Sequence, residues 1–171
     1  MKKDNIILIG MPASGKSTIG VLLAKRLGYS FVDTDLIIQK KEKKLLRDLI
    51  QEHGIEGFWK IEEKHNAELE AEHSVIAPGG SVIYGPKAMK HLKEIGVVVY
   101  LKLDCEEVEK RIDDAERRGV TLKEGWTIWD LYEERVPYYE KYADITIEEK
   151  NMKPGQVADR ICRLLKDRLN S

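Results

Sequence analysis

The sequence is poor in the features that mark most protein classes. It has only two cysteines, Cys105 and Cys162, in unrelated contexts and with no C-x-x-C pair. That excludes a disulfide framework, points to a reducing cytoplasmic compartment, and leaves both thiols to be read as small buried hydrophobes. The longest apolar runs, Ile6–Ile9 and Val97–Leu101, fall far short of the ~20 residues that span a bilayer. Met1-Lys2-Lys3 opens like a secretory signal, but Asp4 follows and the apolar stretch stops at Gly10. Nor is there an excess of one charge. Lys and Arg number 29 against 30 Asp and Glu, a formal net charge of −1, so no global positive field holds nucleic acid or an anionic membrane. His53, His65, His73 and His91 lack metal-ligand spacing and read as surface residues. No repeat or linker divides the 171 residues, which suit one cytoplasmic, monomeric domain.

What the chain does have is an alternation of short apolar runs with helix-period stretches. Asn5–Ile9, Ser30–Val32, Ser74–Ala77, Val97–Leu103 and Ile145–Ile147 read as strands of the buried, parallel type. Between them, Lys16–Leu27 carries Ile19, Leu22, Leu23 and Leu27 on one face and stops at Gly28. Leu36–Gln51 reads as a charged helix, and Ile55–Glu72 as a longer one turning Phe58, Ile61 and Leu69 inward. Pro86–Glu94 starts with proline in its first turn. A helix capped by Asp104 runs to about Arg118, followed by helices over Thr127–Tyr142 and around Val157, Ile161, Leu164 and Leu165. Trp126 and Trp129 read as packing residues on one helical face. Strands alternating with helices mean an α/β fold, a parallel sheet covered on both faces.

Gly10-Met11-Pro12-Ala13-Ser14-Gly15-Lys16-Ser17 fits G-x-x-x-x-G-K-[ST] in full, directly after a strand and before a helix. Such a loop curls so that successive N–H groups face phosphate oxygens, and the helix adds its positive end. Lys16 then reaches the outer phosphates of a nucleoside triphosphate and the Ser17 hydroxyl ligates Mg2+. Thr18 either faces the base side or is an ordinary first-turn residue.

A base-reading N-K-x-D and a D-x-x-G switch are both missing, which removes the GTPases and leaves a small kinase. Asp33 and Asp35 follow the second strand and share a side where ligands collect in open α/β sheets. Asp33, nearer the loop, is placed to hold Mg2+ through water, and Asp35 to orient and deprotonate an acceptor hydroxyl. Phosphoryl transfer depends on positioning and charge neutralisation more than on base strength, so an ordinary carboxylate pKa suffices. The competing reading is that the two aspartates cap the next helix.

With GMPASGKST, FVDTD and the R-V-P-Y-Y-E-K-Y-A-D stretch in this order, the chain from about Asn5 to Ile147 resembles the shikimate kinase family of small P-loop kinases. The resemblance implies a three-layer α/β/α fold around a five-stranded parallel sheet. It also implies a substrate-binding subdomain, here about residues 34–73, and a lid, about 113–126. It makes Lys16 and Ser17 the phosphate and Mg2+ positions, Asp33 the metal-side aspartate and Asp35 the substrate-side base. Arg135 matches an arginine that grips the substrate carboxylate, and Arg111 an adenine-side arginine. Arg117 or Arg118 falls at the lid arginine, and Gly79 and Gly80 at two of three glycines beside the substrate.

The family's G-E-x-x-F-R-x-x-E is here Gly54-Ile55-Glu56-Gly57-Phe58-Trp59-Lys60-Ile61-Glu62, so Trp59 stands where a substrate arginine is expected. Tryptophan offers one N–H in place of a bidentate fork, and Lys60 points about 100° away on a helix. Pro78-Gly79-Gly80-Ser81 loses one backbone donor, and Glu116–Leu122 lacks the family's R-P-L-L. The nucleotide half is intact and the acceptor half altered. The function expected is ATP-dependent phosphorylation of a hydroxyl on a small metabolite, shikimate or another hydroxy acid or polyol. Trp59 either reshapes that pocket or packs beside Phe58. A nucleoside monophosphate kinase would need several arginines after strand two, where only Arg47 lies, and a non-catalytic ATP-binding module would not need both aspartates.

Overall fold

The computed structural model describes residues 3–112 and 120–169. Five parallel strands form one sheet: β1 (Asn5–Ile9), β2 (Ser30–Asp33), β3 (Ser74–Ala77), β4 (Gly96–Lys102) and β5 (Ile145–Glu148), in the order β2-β3-β1-β4-β5. The helices are α1 (Lys16–Leu27), α2 (Thr34–Glu42), α3 (Leu46–Ala67), α4 (Pro86–Ile95), α5 (Cys105–Arg111), α6 (Ile128–Tyr142) and α7 (Pro154–Leu169).

The two-residue period of the strands feeds two cores. Ile6 and Leu8 of β1 join Val99 and Leu101 of β4, and pack with Ile19 and Leu23 of α1 and Val157 and Ile161 of α7. Ile7 and Ile9, with Val98 and Tyr100, face Met89 and Leu92 of α4 and Leu131 and Tyr139 of α6. That is why the strands read as unbroken apolar runs: each face is buried under helices. β1 is central, with β3 on one side and β4 on the other. The chain therefore reverses its direction of winding at β1, and the crevice beyond its carboxyl end is where such sheets bind ligands.

The boundaries after β2 differ from the sequence reading. The predicted Leu36–Gln51 helix is broken at Lys43, in left-handed conformation at φ 55°, and α3 begins already at Leu46. Inside α3, Gly54 takes φ 72° and ψ 175°, so two helical segments meet at a kink there. Asp104 occupies the cap position of α5 but makes no side-chain capping bond. Thr127 caps α6 reciprocally with Asp130.

Three assignments of exposure are corrected: a histidine expected at the surface, a tryptophan pair expected to pack and a cysteine expected to be buried. His65 is buried, at 7% exposure, because its ring is held 2.6 Å from Glu42 Oε1 in the angle between α2 and α3. Trp129 is 48% exposed and donates to Glu109 at 2.7 Å, and Trp126 precedes α6 with the Lys123 ammonium over its ring. They do not form a packed pair. Cys105 is buried as expected, while Cys162 is only partly covered. No described helix is long and apolar enough to cross a membrane.

Candidate active site

Three strand ends converge on the crevice. The loop after β1 carries Gly10 to Lys16, the turn after β2 carries Asp33 and Asp35, and the turn after β3 carries Pro78 to Ser81. All of these but Gly10, Met11 and the fully buried Ser14 line a cleft of about 460 Å3, together with Phe58 and Glu62 of α3, Arg135 of α6, Arg111 and Thr121.

On the loop side, Gly15 adopts φ 86°, which L side chains rarely take, and ends in α1 without any side-chain cap. No acidic residue sits in the first turn of α1, so its N–H groups and positive end are directed at the cleft. Lys16 Nζ donates to the Gly10 and Met11 carbonyls at 3.0 and 2.9 Å, arching over the loop it serves. Pro12, Ala13, Gly15, Lys16, Ser17 and Thr18 all border the cleft. Gly10 and Met11 lie behind them, and Met11 is a core residue.

The two aspartates divide their work. Asp33 Oδ1 accepts from the Asp35 and Leu36 amides at 2.9 and 3.4 Å, so it caps α2 while also bordering the cleft. Asp35 Oδ1 is buried with no hydrogen-bond partner among the described residues. Burial, reinforced by the Asp33 charge and opposed by Lys16, pushes the Asp35 carboxyl up to about 6. The ordinary carboxylate of the sequence reading is thus a strengthened base. Ser17 and Asp33 offer only oxygen, the donor set a hard cation such as Mg2+ takes while keeping several waters. The residues present therefore fit that ion.

The acceptor side holds residues that sequence reading left without a role. Glu62 is 2% exposed, accepts from Ser81 Oγ at 2.6 Å and has its carboxyl pushed up to about 7, chiefly by burial. The signal was available: Glu62, His65 and Asn66 put polar groups at helical spacing on the inward face of Phe58. A Cβ on Gly79 would stand 2.6 Å from Glu62 Oε2 and 3.0 Å from Asp35 Oδ1, so only glycine lets the backbone pass between the two carboxylates. Gly80 lies against Arg135, and its carbonyl accepts from the Tyr139 hydroxyl at 2.7 Å. Glu149 is a further buried acid, pushed up to about 7 by burial against the opposing charges of Arg111 and Lys16.

Arg135 is 1% exposed, and no carboxylate lies within ion-pair distance of it among the described residues. Its Nη2 donates to Thr121 Oγ1 at 2.9 Å and its guanidinium lies 5.5 Å over the Tyr84 ring. Trp59 does not border the cleft. It stacks on Tyr84 with centroids 4.1 Å apart and donates through Nε1 to Thr121 Oγ1 at 3.1 Å. Arg111 borders both the cleft and a neighbouring hollow of about 590 Å3, and is tied to Glu107 at 3.0 Å. Arg117 and Arg118 lie outside the described residues.

Glu62 gives a stability test. Below pH 4.5 it is protonated in both folded and unfolded chains, so its burial has no pH-linked cost. Between 4.5 and about 7 only the unfolded chain loses the proton, so stability falls as pH rises, by on the order of 3 kcal/mol at most. Glu62→Gln, whose carbonyl still accepts from Ser81, should melt like wild type at pH 4 and several degrees above it at pH 8, measured by calorimetry.

Residues 12–166 match the family model described as shikimate kinase. A shikimate kinase of Persephonella marina is 36% identical over 159 residues, 92% of this chain and 96% of that protein. Among solved structures, a shikimate kinase from Acinetobacter baumannii in complex with shikimate superimposes with a TM-score of 0.81 at 27% identity, covering 98% of this chain and 95% of that one. The shikimate kinase of Aquifex aeolicus gives 0.80 at 30% identity, covering 96% and 98%.

Proposed function

This chain belongs to the shikimate kinase family, and from that premise we propose that it transfers the terminal phosphoryl group of ATP to a hydroxyl of shikimate, giving ADP and shikimate 3-phosphate. The observation that carries the acceptor half is Arg135, a buried guanidinium with no carboxylate at ion-pair distance among the described residues, facing the same cleft as Lys16 and Asp35. A buried cation is costly to leave uncompensated, and a carboxylate on the acceptor is the partner that satisfies it.

The roles follow from the geometry. The amides of the Gly10–Gly15 loop and Lys16 hold the phosphates, and Ser17 and Asp33 hold Mg2+. The ion, when bound, neutralises charge on the phosphate oxygens. Asp35 accepts the proton of the attacking hydroxyl through its unpartnered Oδ1 as the new oxygen–phosphorus bond forms and the bond to the ADP oxygen breaks. Gly79 and Gly80 let the acceptor approach the backbone, and Arg135 fixes its carboxylate. Arg111 and the hollow beside it, bordered by Glu149 and Met152, supply room for the nucleobase, with Thr18 at the phosphate end.

Coupled-assay turnover with MgATP and a panel of small hydroxy acids, polyols and nucleoside monophosphates tests the reading. ADP release with shikimate above the rest of the panel is expected. Preference for any other member, or ATP hydrolysis indifferent to all of them, would remove it.

A further inference from the structure

Two places where the sequence leaves the family pattern, Trp59 and the 116–122 stretch, meet at a single oxygen atom, Thr121 Oγ1. That hydroxyl receives two hydrogen bonds, from Trp59 Nε1 at 3.1 Å and from Arg135 Nη2 at 2.9 Å. Indole and guanidinium N–H groups can only donate, and a threonine hydroxyl has two lone pairs and one hydrogen. Both lone pairs are therefore taken. The hydrogen has no acceptor among the described residues, while Thr121 borders the acceptor end of the cleft beside Arg135. We infer that Thr121 donates its hydroxyl hydrogen to a carboxylate oxygen of the acceptor, and that Trp59 fixes the polarity of this donor from behind. The inference rests on the shikimate reading and adds to it the second donor that the missing arginine would have supplied.

The arrangement is built to hold one orientation. Trp59 is clamped by its stack on Tyr84, the Tyr84 hydroxyl donates to Glu134 at 2.6 Å, and the Arg135 guanidinium lies over the Tyr84 ring at 5.5 Å. With its acceptor sites filled, Thr121 offers the ligand a donor only, as Arg135 does. Two donors side by side select a group with no hydrogen of its own, a carboxylate over an alcohol or an amide. Trp59 touches no ligand in this scheme and is a positioning residue.

The test compares Thr121→Val, Thr121→Ser and Trp59→Phe in the full chain, with shikimate and with its analogue whose carboxylate is reduced to a hydroxymethyl group. One hydrogen bond to a charged group is at stake, so Thr121→Val should raise the shikimate KM about tenfold or more, with kcat within about threefold and the ATP KM unchanged. Thr121→Ser should restore the wild-type KM. For the hydroxymethyl analogue the valine penalty should disappear. Trp59→Phe keeps the stack and the threonine but frees one lone pair, so it should raise the shikimate KM about threefold. It should add nothing on top of Thr121→Val. If the valine variant melts early, Trp59→Phe carries the test alone, with the same analogue comparison. An unchanged shikimate KM in these variants, or an equal penalty for shikimate and the analogue, overturns the inference and leaves the shikimate reading intact. A wild-type enzyme that does not turn over shikimate overturns the reading and this inference with it.

Discussion

Asp35→Asn should lower kcat for shikimate by about 10³-fold while leaving MgATP affinity within twofold of wild type. The asparagine keeps the shape and leaves Asp33 free to cap α2 through the same two amides, so the fold has no reason to change. What is lost is the only function assigned to Asp35 Oδ1, a buried acceptor with nothing bonded to it until a hydroxyl arrives. The pH profile carries a second signature. Burial and the Asp33 charge hold the Asp35 carboxyl at about 6, and the base works only when ionised. Wild-type kcat/KM should therefore rise with pH from 5 to 7 and flatten above, and the residual activity of the variant should lack that limb. Steady-state kinetics in both substrates, with calorimetry of nucleotide binding, separate the outcomes. A variant that keeps more than a tenth of wild-type kcat would take the proton-accepting role away from Asp35.

How much of this was legible in the sequence depends on the range of the interactions involved. The loop, β1 and α1 are local: glycine spacing, a short apolar run and a helical stripe specify them within some twenty residues, and they stand where the motif put them. The parallel sheet followed from the alternation of elements, whereas Arg135 was marked by the family resemblance and not by local pattern. Asp33 and Asp35 illustrate a limit. Capping and a place in the cleft are compatible, because Asp33 caps the helix whose first turn presents Asp35 to the cleft. The break at Lys43 was missed because a left-handed lysine has no composition signal, whereas the kink at Gly54 falls where the pattern ends one helix before Ile55 and starts the next. Glu62 and Thr121 were missed for a different reason. Their importance lies in partners 19 and 62 residues away in the chain, Ser81 and Trp59; helical spacing turns Glu62 inward but does not name what either residue meets. Trp59 was singled out only because a resemblance made its identity unexpected, and its actual place, behind Thr121 and on Tyr84, needed coordinates.

The acceptor half has its own large expected effect in Arg135→Lys. The substitution keeps the charge, so a site that needed only a positive field would tolerate it. Here the guanidinium does three things at once. It lies over the Tyr84 ring, it donates to Thr121 through Nη2, and it keeps Nη1 against Gly80 in the cleft, with Nε buried and unpartnered. A lysine ammonium is a compact, strongly hydrated point charge and cannot form a planar fork from the same stem. Placed at 1% exposure it also loses more from desolvation than the more weakly hydrated guanidinium. The shikimate KM should therefore rise about 100-fold, with the ATP KM within twofold, since none of the residues proposed to hold the phosphates lies on α6. For the acceptor analogue with a hydroxymethyl group in place of the carboxylate, arginine and lysine enzymes should differ far less, because no anion is left for the fork to grip. Kinetics for both acceptors, with a thermal melt to confirm folding, decide the matter. A lysine enzyme with near-normal shikimate KM would mean that the carboxylate is held elsewhere, and the buried guanidinium would then be a strut between Tyr84, Thr121 and Gly80 rather than the group that recognises the acceptor.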